Sequence, residues 1–180
     1  METAANIAYW RKARGEMMLP GERQLLYDLA RYVANRFASP VIVNIGVSWG
    51  ASLHCLRAGA PDAELIGIDI DYEKKPMVGV EYLGSVEFVE ADSSQYQFEG
   101  PAHLVFIDGG HDYETVNGDI ANWTPHIPTN GIIAFHDYAP RNRDSKRLAG
   151  IRQAVDEWRL NRWWGRCGSA NSIIALRRIK

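Results

Sequence analysis

The apolar positions along the chain change period several times, and each change marks an element. From Pro20, the residues Leu25, Leu26, Leu29, Tyr32, Val33 and Phe37 recur at three- and four-residue spacing, which predicts a helix with one buried face. Pro20 suits its first turn, Glu22 complements the dipole there, and Ser39-Pro40 closes the segment. Val41 to Ile45 is a mostly β-branched run and reads as a strand. The glycine-spaced turn Gly46-Val-Ser-Trp-Gly50 follows, then a helix carrying Leu53, Leu56 and Ala60 inward and stopping near Gly59 to Pro61. Leu65 to Ile68, Val86 to Glu90, His103 to Ile107 and Gly131 to Phe135 read as further strands. Helices are predicted over Tyr113 to Trp123, with Val116, Ile120 and Trp123 on one side, and from Leu148 to Trp158. Asp71 to Gly79 is short and charged and holds at most a stunted helix, and Arg141 to Lys146 is a polar loop. Trp163-Trp164 and Ser172 to Leu176 read as two closing strands joined by a Gly/Ser/Asn turn.

Strands separated by helices imply a parallel sheet with right-handed crossovers, and the closely spaced last pair implies an antiparallel hairpin. The expected fold class is α/β: a Rossmann-like, doubly wound, mainly parallel seven-stranded sheet with an antiparallel edge hairpin. At 180 residues the expectation is one domain over 1–180, a helical lead-in over 1–38 preceding the sheet over 40–180. With 20 basic and 22 acidic residues, a net charge of -2 offers no field for nucleic acid or an anionic membrane. Cys55 and Cys167 make neither a disulfide framework nor a zinc site, which suits reduced thiols in a cytoplasmic protein. The first residues carry Glu2, Arg11, Lys12, Arg14 and Glu16 and do not read as a signal peptide or anchor. No run approaches the ~20 apolar residues of a membrane span.

In a doubly wound sheet, ligands sit beyond the carboxyl ends of the strands, where strand order reverses. Gly46 and Gly50 follow the first strand, Asp69 ends the second, and Asp92-Ser93 ends the third, so all three sets belong to one rim. Glycines let the backbone approach a ligand, and a carboxylate at the Asp69 position can accept hydrogen bonds from a ribose diol. Asp92 or Ser93 then meets an adenine edge. A glycine pair alone would fit any tight strand-to-helix turn; its occurrence with Asp69 points to a nucleoside. The spacing departs from Gly-x-Gly-x-x-Gly, and Val47, Ser48 and Trp49 supply little of a phosphate cradle, so a nucleoside without pyrophosphate suits the loop.

At these residues the chain resembles the class I S-adenosylmethionine-dependent methyltransferases, and more narrowly the small-molecule O-methyltransferases of the macrocin and catechol O-methyltransferase type. Asn44-Ile-Gly-Val-Ser-Trp-Gly-Ala-Ser52 is similar to the family's Glu-x-Gly-x-x-x-Gly-x-Ser loop. Phe106-Ile-Asp-Gly-Gly-His-Asp-Tyr113 and Gly131-Ile-Ile-Ala-Phe-His-Asp-Tyr138 are similar to its fourth- and fifth-strand motifs, and Gly150 to Trp158 to the helix that follows. The resemblance implies that Gly46, Ser48, Trp49, Gly50 and Ser52 hold the methionine end of S-adenosyl-L-methionine. It implies that Asp69 binds the ribose and that Asp92 and Ser93 flank the adenine. Asn44 stands where the family carries an acid facing the cofactor's ammonium; an amide accepts a hydrogen bond there without charge.

A second constellation is Asp108 at the end of the fourth strand with His136-Asp137 at the end of the fifth. Carboxylates with waters suit Mg2+ or Mn2+, and an imidazole shifts the preference toward manganese, iron or zinc. The resemblance implies that Asp108, His136 and Asp137 hold a divalent ion on the acceptor's oxygens. Asp108 belongs with the cofactor-side residues as well; strand-end acids also serve as helix caps. His111, three residues past Asp108, can take a proton at neutral pH and sits where the family places a base. Tyr113 and Tyr138 follow strands and fit either an acceptor pocket or packing, while His54, His103 and His126 read as structural.

The cationic loop Arg141 to Arg147 fits a solvated surface better than an anion site. Trp163-Trp164 fits a subunit contact, and hence a homodimer, or the core. The reading is methyl transfer to a small-molecule acceptor, with neither nucleic acid nor membrane as partner. A non-catalytic S-adenosylmethionine-binding protein and a metal-dependent hydrolase are the alternatives.

Overall fold

The computed structural model describes residues 18–71, 83–139, 149–159 and 163–180. The expectations for residues 1–17, for the crossover beyond Asp71 and for the loop 141–147 therefore lie outside the described residues. The strands are β1 (Val41–Ile45), β2 (Glu64–Asp69), β3 (Glu87–Glu90), β4 (Leu104–Ile107), β5 (Ile132–Phe135), β6 (Trp164–Ala170) and β7 (Ile173–Arg178). The helices are α1 (Pro20–Arg36), α2 (Ala51–Gly59), α3 (Tyr113–Trp123) and α4 (Ala149–Trp158).

The strands make one sheet in the order β3-β2-β1-β4-β5-β7-β6. Every pairing from β3 through β5 is parallel, and β7 pairs antiparallel with both β5 and β6. β1 is central because it is apolar toward both faces, the composition that a covered parallel strand needs. Ile42 packs with Leu26, Leu53 and Phe106 in the core on the α1 and α2 face, and Val43 and Ile45 pack with Ile120, Trp123 and Val155 on the α3 and α4 face.

β1 and α3 span the predicted residues, and the other predicted strands lie within a residue or two of those observed, apart from β6. That strand runs from Trp164 to Ala170, with a bulge between Arg166 and Gly168, whereas the sequence shows only its aromatic start. Gly165, Gly168 and Ser169 carry no strand preference of their own; pairing with β7 orders them. Strand order reverses between β1 and β4, so the crevice above their carboxyl ends is where a ligand belongs. No helix among the described residues is long and apolar enough to cross a membrane.

Candidate active site

The loop leaving β1 is wound tightly around a carboxylate. Gly46 has φ +80°, and a Cβ there would stand 2.2 Å from the Asp108 carbonyl oxygen, so no side chain fits. Ser48 and Gly50 are also left-handed, with φ 44° and 79°. This winding turns the Val47 and Ser48 N–H groups onto Asp69 Oδ2, at 2.8 and 3.0 Å. The Asp71 N–H donates to Asp69 Oδ1 at 3.2 Å. A carboxylate offers about four acceptor positions, and the chain itself fills three of them here. Asp69 therefore holds the loop first, with acceptor capacity left at Oδ1. The arrangement also disfavours phosphate: two loop amides are already taken, and by an anion.

A cavity of about 740 Å3 opens above this loop, within the range of small-molecule sites. Gly46, Ser48, Trp49 and Ser52 contribute to its wall from the β1–α2 connection. Asp69, Asp92 and Ser93 contribute from the ends of β2 and β3, and Asp108, His111, His136 and Asp137 from beyond β4 and β5. Asn44 and Gly50, expected among the cofactor residues, are not in the wall. Asn44 is fully buried and its Nδ2 donates to the Gly46 carbonyl at 3.1 Å, so it supports the loop from behind. Its Oδ1 has no partner among the described residues. Gly50 is the N-cap of α2 and supplies no side-chain cap, which leaves the first-turn amides of that helix open. Met18, Ile70 and Thr115 also line the cavity, though sequence reasoning did not select them. Trp49 and Ile70 are 44 % and 74 % exposed, an apolar rim.

In the turn after β3, Ser94 donates both its N–H and its hydroxyl to Asp92 Oδ1, at 2.9 and 2.7 Å. Asn122 and Trp123 donate side-chain N–H groups to the Ser93 carbonyl. Asp92 Oδ2 and the Ser93 N–H keep no partner among the described residues, which sets an acceptor beside a donor.

The opposite side is a cluster of ionisable side chains. His136 Nδ1 lies 3.0 Å from Asp108 Oδ1 and 3.5 Å from Asp137 Oδ2, and its Nε2 lies 3.6 Å from Glu22 Oε2. These are ion pairs set off the ring N–H axes rather than linear hydrogen bonds. Burial opposes a charged ring, but Asp108, Asp137 and Glu22 outweigh it and lift the His136 pKa to about 12. Glu22 is 1 % exposed and comes from the first turn of α1. Burial would raise its pKa, yet His136, Ser172 and the Leu19 and Ser172 amides bring it to about 2. Its Oε1 accepts the Ser172 hydroxyl and N–H at 2.6 and 3.0 Å, and its Oε2 accepts the Leu19 N–H at 2.7 Å. The sequence shows Glu22 only as a first-turn acid; nothing local says that it reaches β5.

His111 Nε2 stands 3.2 Å from Asp137 Oδ2. Asp137 is left-handed at φ 55°, a conformation that costs energy and concentrates at functional sites. Burial works against its charge, but His111 and His136 hold its pKa well below the usual carboxylate range. Asp108, His111 and Asp137 each offer a ligand atom within 4.8 Å of the others, a geometry able to hold a metal ion. Both nitrogens of His136, by contrast, face carboxylates.

The capping role that sequence alone allowed Asp108 is filled by Asp112, whose Oδ1 accepts the Thr115 N–H at 2.9 Å at the start of α3. Tyr113 and Tyr138 donate their hydroxyls to Glu157 and Asp156 of α4, at 2.8 and 2.7 Å. They therefore tie the strand-end loops to that helix. Trp164 packs on Trp158 at 4.9 Å between ring centroids, while Trp163 is exposed.

Fold and rim together define a Rossmann-like domain with a ligand crevice at its topological switch point. Residues 43–138, just over half of the chain, match the family described as a methyltransferase domain, and the chain belongs to that family. No curated protein matches it. Among solved structures it is similar to a protein assigned as a caffeoyl-CoA O-methyltransferase from Staphylococcus aureus, at 15% identity and TM-score 0.72 over 100% of this chain and 93% of that one. It is also similar to an O-methyltransferase from Bacillus cereus in complex with SAH, at 16% identity and TM-score 0.70 over 98% and 89%. The MycE methyltransferase of mycinamycin biosynthesis, in complex with Mg, SAH and mycinamycin VI, gives 14% and 0.70 over 100% of this chain and 55% of that one. The shared architecture is the class I S-adenosylmethionine-dependent methyltransferase fold.

Proposed function

We propose that the protein transfers the methyl group of S-adenosyl-L-methionine to a hydroxyl oxygen of a small molecule, assisted by a divalent ion. One observation carries the reading: the amide-clasped Asp69 loop and the Asp108–His111–His136–Asp137 cluster open into the same cavity. The residues present fit the cofactor. A sulfonium nucleoside is cationic at its reactive end, and the carboxylates of Asp108 and Asp137 line the same cavity. The open first-turn amides of α2, beside Ser52, suit the carboxylate of an amino acid. Asp69 Oδ1 retains capacity for a ribose hydroxyl, and the acceptor–donor pair of Asp92 Oδ2 and Ser93 N–H matches the amino group and N1 of adenine.

The cofactor, when bound, supplies an electrophilic methyl group. Mg2+ or Mn2+, when bound, would be held by Asp108 and Asp137 and would make an acceptor hydroxyl more acidic. His136 serves this reading as a fixed positive charge between the carboxylates rather than as a metal ligand. His111, oriented through Nε2 by Asp137, takes the hydroxyl proton at Nδ1. Little covalent chemistry falls to the chain; alignment of the two reactants supplies most of the rate.

The test is a thermal-shift titration with S-adenosylhomocysteine, followed by transfer of labelled methyl to catechols, sugars and hydroxy acids with and without Mg2+ or Mn2+. Stabilisation should rise with the logarithm of ligand concentration, and label should move to oxygen. A melting temperature indifferent to S-adenosylhomocysteine would end the reading. Binding without transfer across the panel would leave a non-catalytic cofactor-binding protein.

A further inference from the structure

The chain carries the triplet His-Asp-Tyr twice, as His111-Asp112-Tyr113 after β4 and as His136-Asp137-Tyr138 after β5. The two copies divide their work in opposite ways. In the first, His111 lines the cavity while Asp112 caps α3, its oxygens accepting the N–H and the hydroxyl of Thr115 at 2.9 and 2.7 Å. In the second, Asp137 is left-handed and stands 3.2 Å from His111, and His136 lies among Asp108, Asp137 and Glu22. The working pair is therefore the histidine of one copy and the aspartate of the other. What the copies share is the fate of the tyrosine.

Both tyrosines end on adjoining residues of α4. Tyr113 donates its hydroxyl to Glu157 at 2.8 Å, and Tyr138 donates its own to Asp156 at 2.7 Å. The two acceptors are themselves braced. Gln153 Nε2 donates to Glu157 Oε1 at 2.9 Å, and Asp156 pairs with Arg159 and Arg152 at 2.9 and 3.5 Å. Arg152 and Arg159 also stand over the Tyr138 ring, 5.7 and 5.9 Å from its centroid. At the other end of α4, a Cβ on Gly150 would come within 2.5 Å of the Tyr113 backbone nitrogen, so helix and first triplet touch directly. A left-handed aspartate costs energy and persists only where its surroundings over-determine it. Asp137 has an anchor on either side: the His136 N–H donates to the Ile107 carbonyl at 3.0 Å before it, and Tyr138 is tied to α4 after it.

We propose that α4 is the jig for the reacting pair: Asp156 and Glu157 hold Tyr138 and Tyr113 so that Asp137 meets His111, and the two tyrosines are positioning residues. The proposal rests on the reading of His111 as the base. The experiment uses the full chain and its Tyr138→Phe, Tyr113→Phe, Asp156→Ala and Asp156→Asn variants. Turnover is read by transfer of labelled methyl to the acceptors above, and binding by calorimetry with S-adenosylhomocysteine. Tyr138→Phe removes one oxygen and should lower kcat about 10-fold, since a misplacement of about 1 Å can cost about 100-fold. Affinity for S-adenosylhomocysteine should hold within about twofold. Tyr113→Phe should cost less, about threefold, because its hydrogen bond is exposed. Asp156→Ala should match Tyr138→Phe, and Asp156→Asn should keep most of the rate, since an amide oxygen still accepts the hydroxyl. In a His111→Ala background, Tyr138→Phe should cost nothing further.

A rate lost equally in Asp156→Ala and Asp156→Asn, or a Tyr138→Phe effect undiminished without His111, would overturn the proposal. So would a loss of cofactor affinity as large as the loss of rate. A ligand-free arm needs neither cofactor nor acceptor. Amide hydrogen exchange over residues 136–139 should quicken about 10-fold in Tyr138→Phe and Asp156→Ala and stay unchanged in Asp156→Asn; unaltered exchange in the first two overturns the positioning role. Full turnover in His111→Ala alone would overturn the base reading and this inference with it, a result that no tyrosine variant can imitate.

Discussion

The two sides of the crevice are built on different principles. On the β1–β2–β3 side, shape comes from backbone: left-handed residues at 46, 48 and 50 turn amides onto Asp69, and Ser94 turns its own amide onto Asp92. On the β4–β5 side, shape comes from side-chain charge: His136 sits among Asp108, Asp137 and Glu22, and His111 leans on Asp137. A backbone-built wall is rigid and suits a ligand that must always bind in one pose. A wall of coupled charges can move a proton or accept a cation, because its members respond to one another. Under the proposed function, binding falls to one side and reaction to the other, and variants should separate them.

The largest expected effect lies on the reactive side. His111→Ala should lower kcat by about 100- to 10,000-fold, the usual worth of a general base, with S-adenosylhomocysteine affinity unchanged within twofold. A parallel loss of affinity would show that the two sides are not separable. Next comes Glu22→Ala. Removing one partner of a buried ion pair costs about 3 kcal/mol, and Glu22 also holds Leu19 and Ser172. Urea unfolding should show that loss. Glu22→Gln, which keeps oxygen toward Ser172, should regain part of the stability but not the ion pair with His136; a glutamine variant as stable as the unmutated protein would refute the ion-pair role.

On the binding side, Asp69→Ala should weaken S-adenosylhomocysteine by about 10- to 100-fold, equivalent to about 1.4–2.8 kcal/mol, because it frees the Val47 and Ser48 amides as well as a ribose partner. Asp69→Asn should lose less, since its amide oxygen can keep the loop amides while the ribose loses a charged acceptor. Calorimetry on both variants sharpens the split between loop-holding and ligand-holding. Equal losses would mean that the ribose contact carries everything.

The same contrast explains what could be read from sequence. The order of the elements, the antiparallel hairpin and the rim positions of Gly46, Asp69, Asp92 and Asp108 follow from local pattern, because hydrophobic period and glycine placement act over a few residues. Gly46 is legible because one backbone conformation demands it. The partners of His136 are not. Glu22 reaches it from the first described helix, and Ser172 braces Glu22 from a sequence separation of 150. No period or spacing encodes such a meeting; only the sheet order brings α1 and the β6–β7 turn together. Asp69 lies between the two cases: its position was legible, but its first partners, the loop amides, depend on left-handed Ser48, a residue type that only modestly signals positive φ. For Tyr113 and Tyr138 the sequence left an acceptor pocket or packing open, since an aromatic after a strand looks the same whether it meets a ligand or, as here, a helix.

The smallest expected effect returns to the binding side and tests whether the buried Asp119 of α3 behaves as a scaffold element or as a titrating group. Burial raises the Asp119 pKa, the Ser93 hydrogen bond pulls it partly back, and the nearby Asp92 charge pushes it up again, leaving it at about 6 against an ordinary value of 3.8. Between those two values the folded state binds the proton more tightly than the unfolded chain, so stability falls as pH rises. The contribution is fully present below about pH 4 and is lost by the time the pH passes about 6. Two pKa units correspond to about 3 kcal/mol at most, and about 1–2 kcal/mol is the expected size once the Ser93 bond is retained in the reference variant. Asp119→Asn keeps that bond and cannot ionise. Urea unfolding of both proteins from pH 4.5 to 8 should show the asparagine variant gaining on the unmutated protein as pH rises, levelling near pH 7. Because every other titrating group is common to the pair, the difference isolates Asp119. A difference that stays flat with pH would mean that the carboxylate is solvated well enough to ionise freely, and that the grip of α3 on the turn is looser than its hydrogen bonds imply.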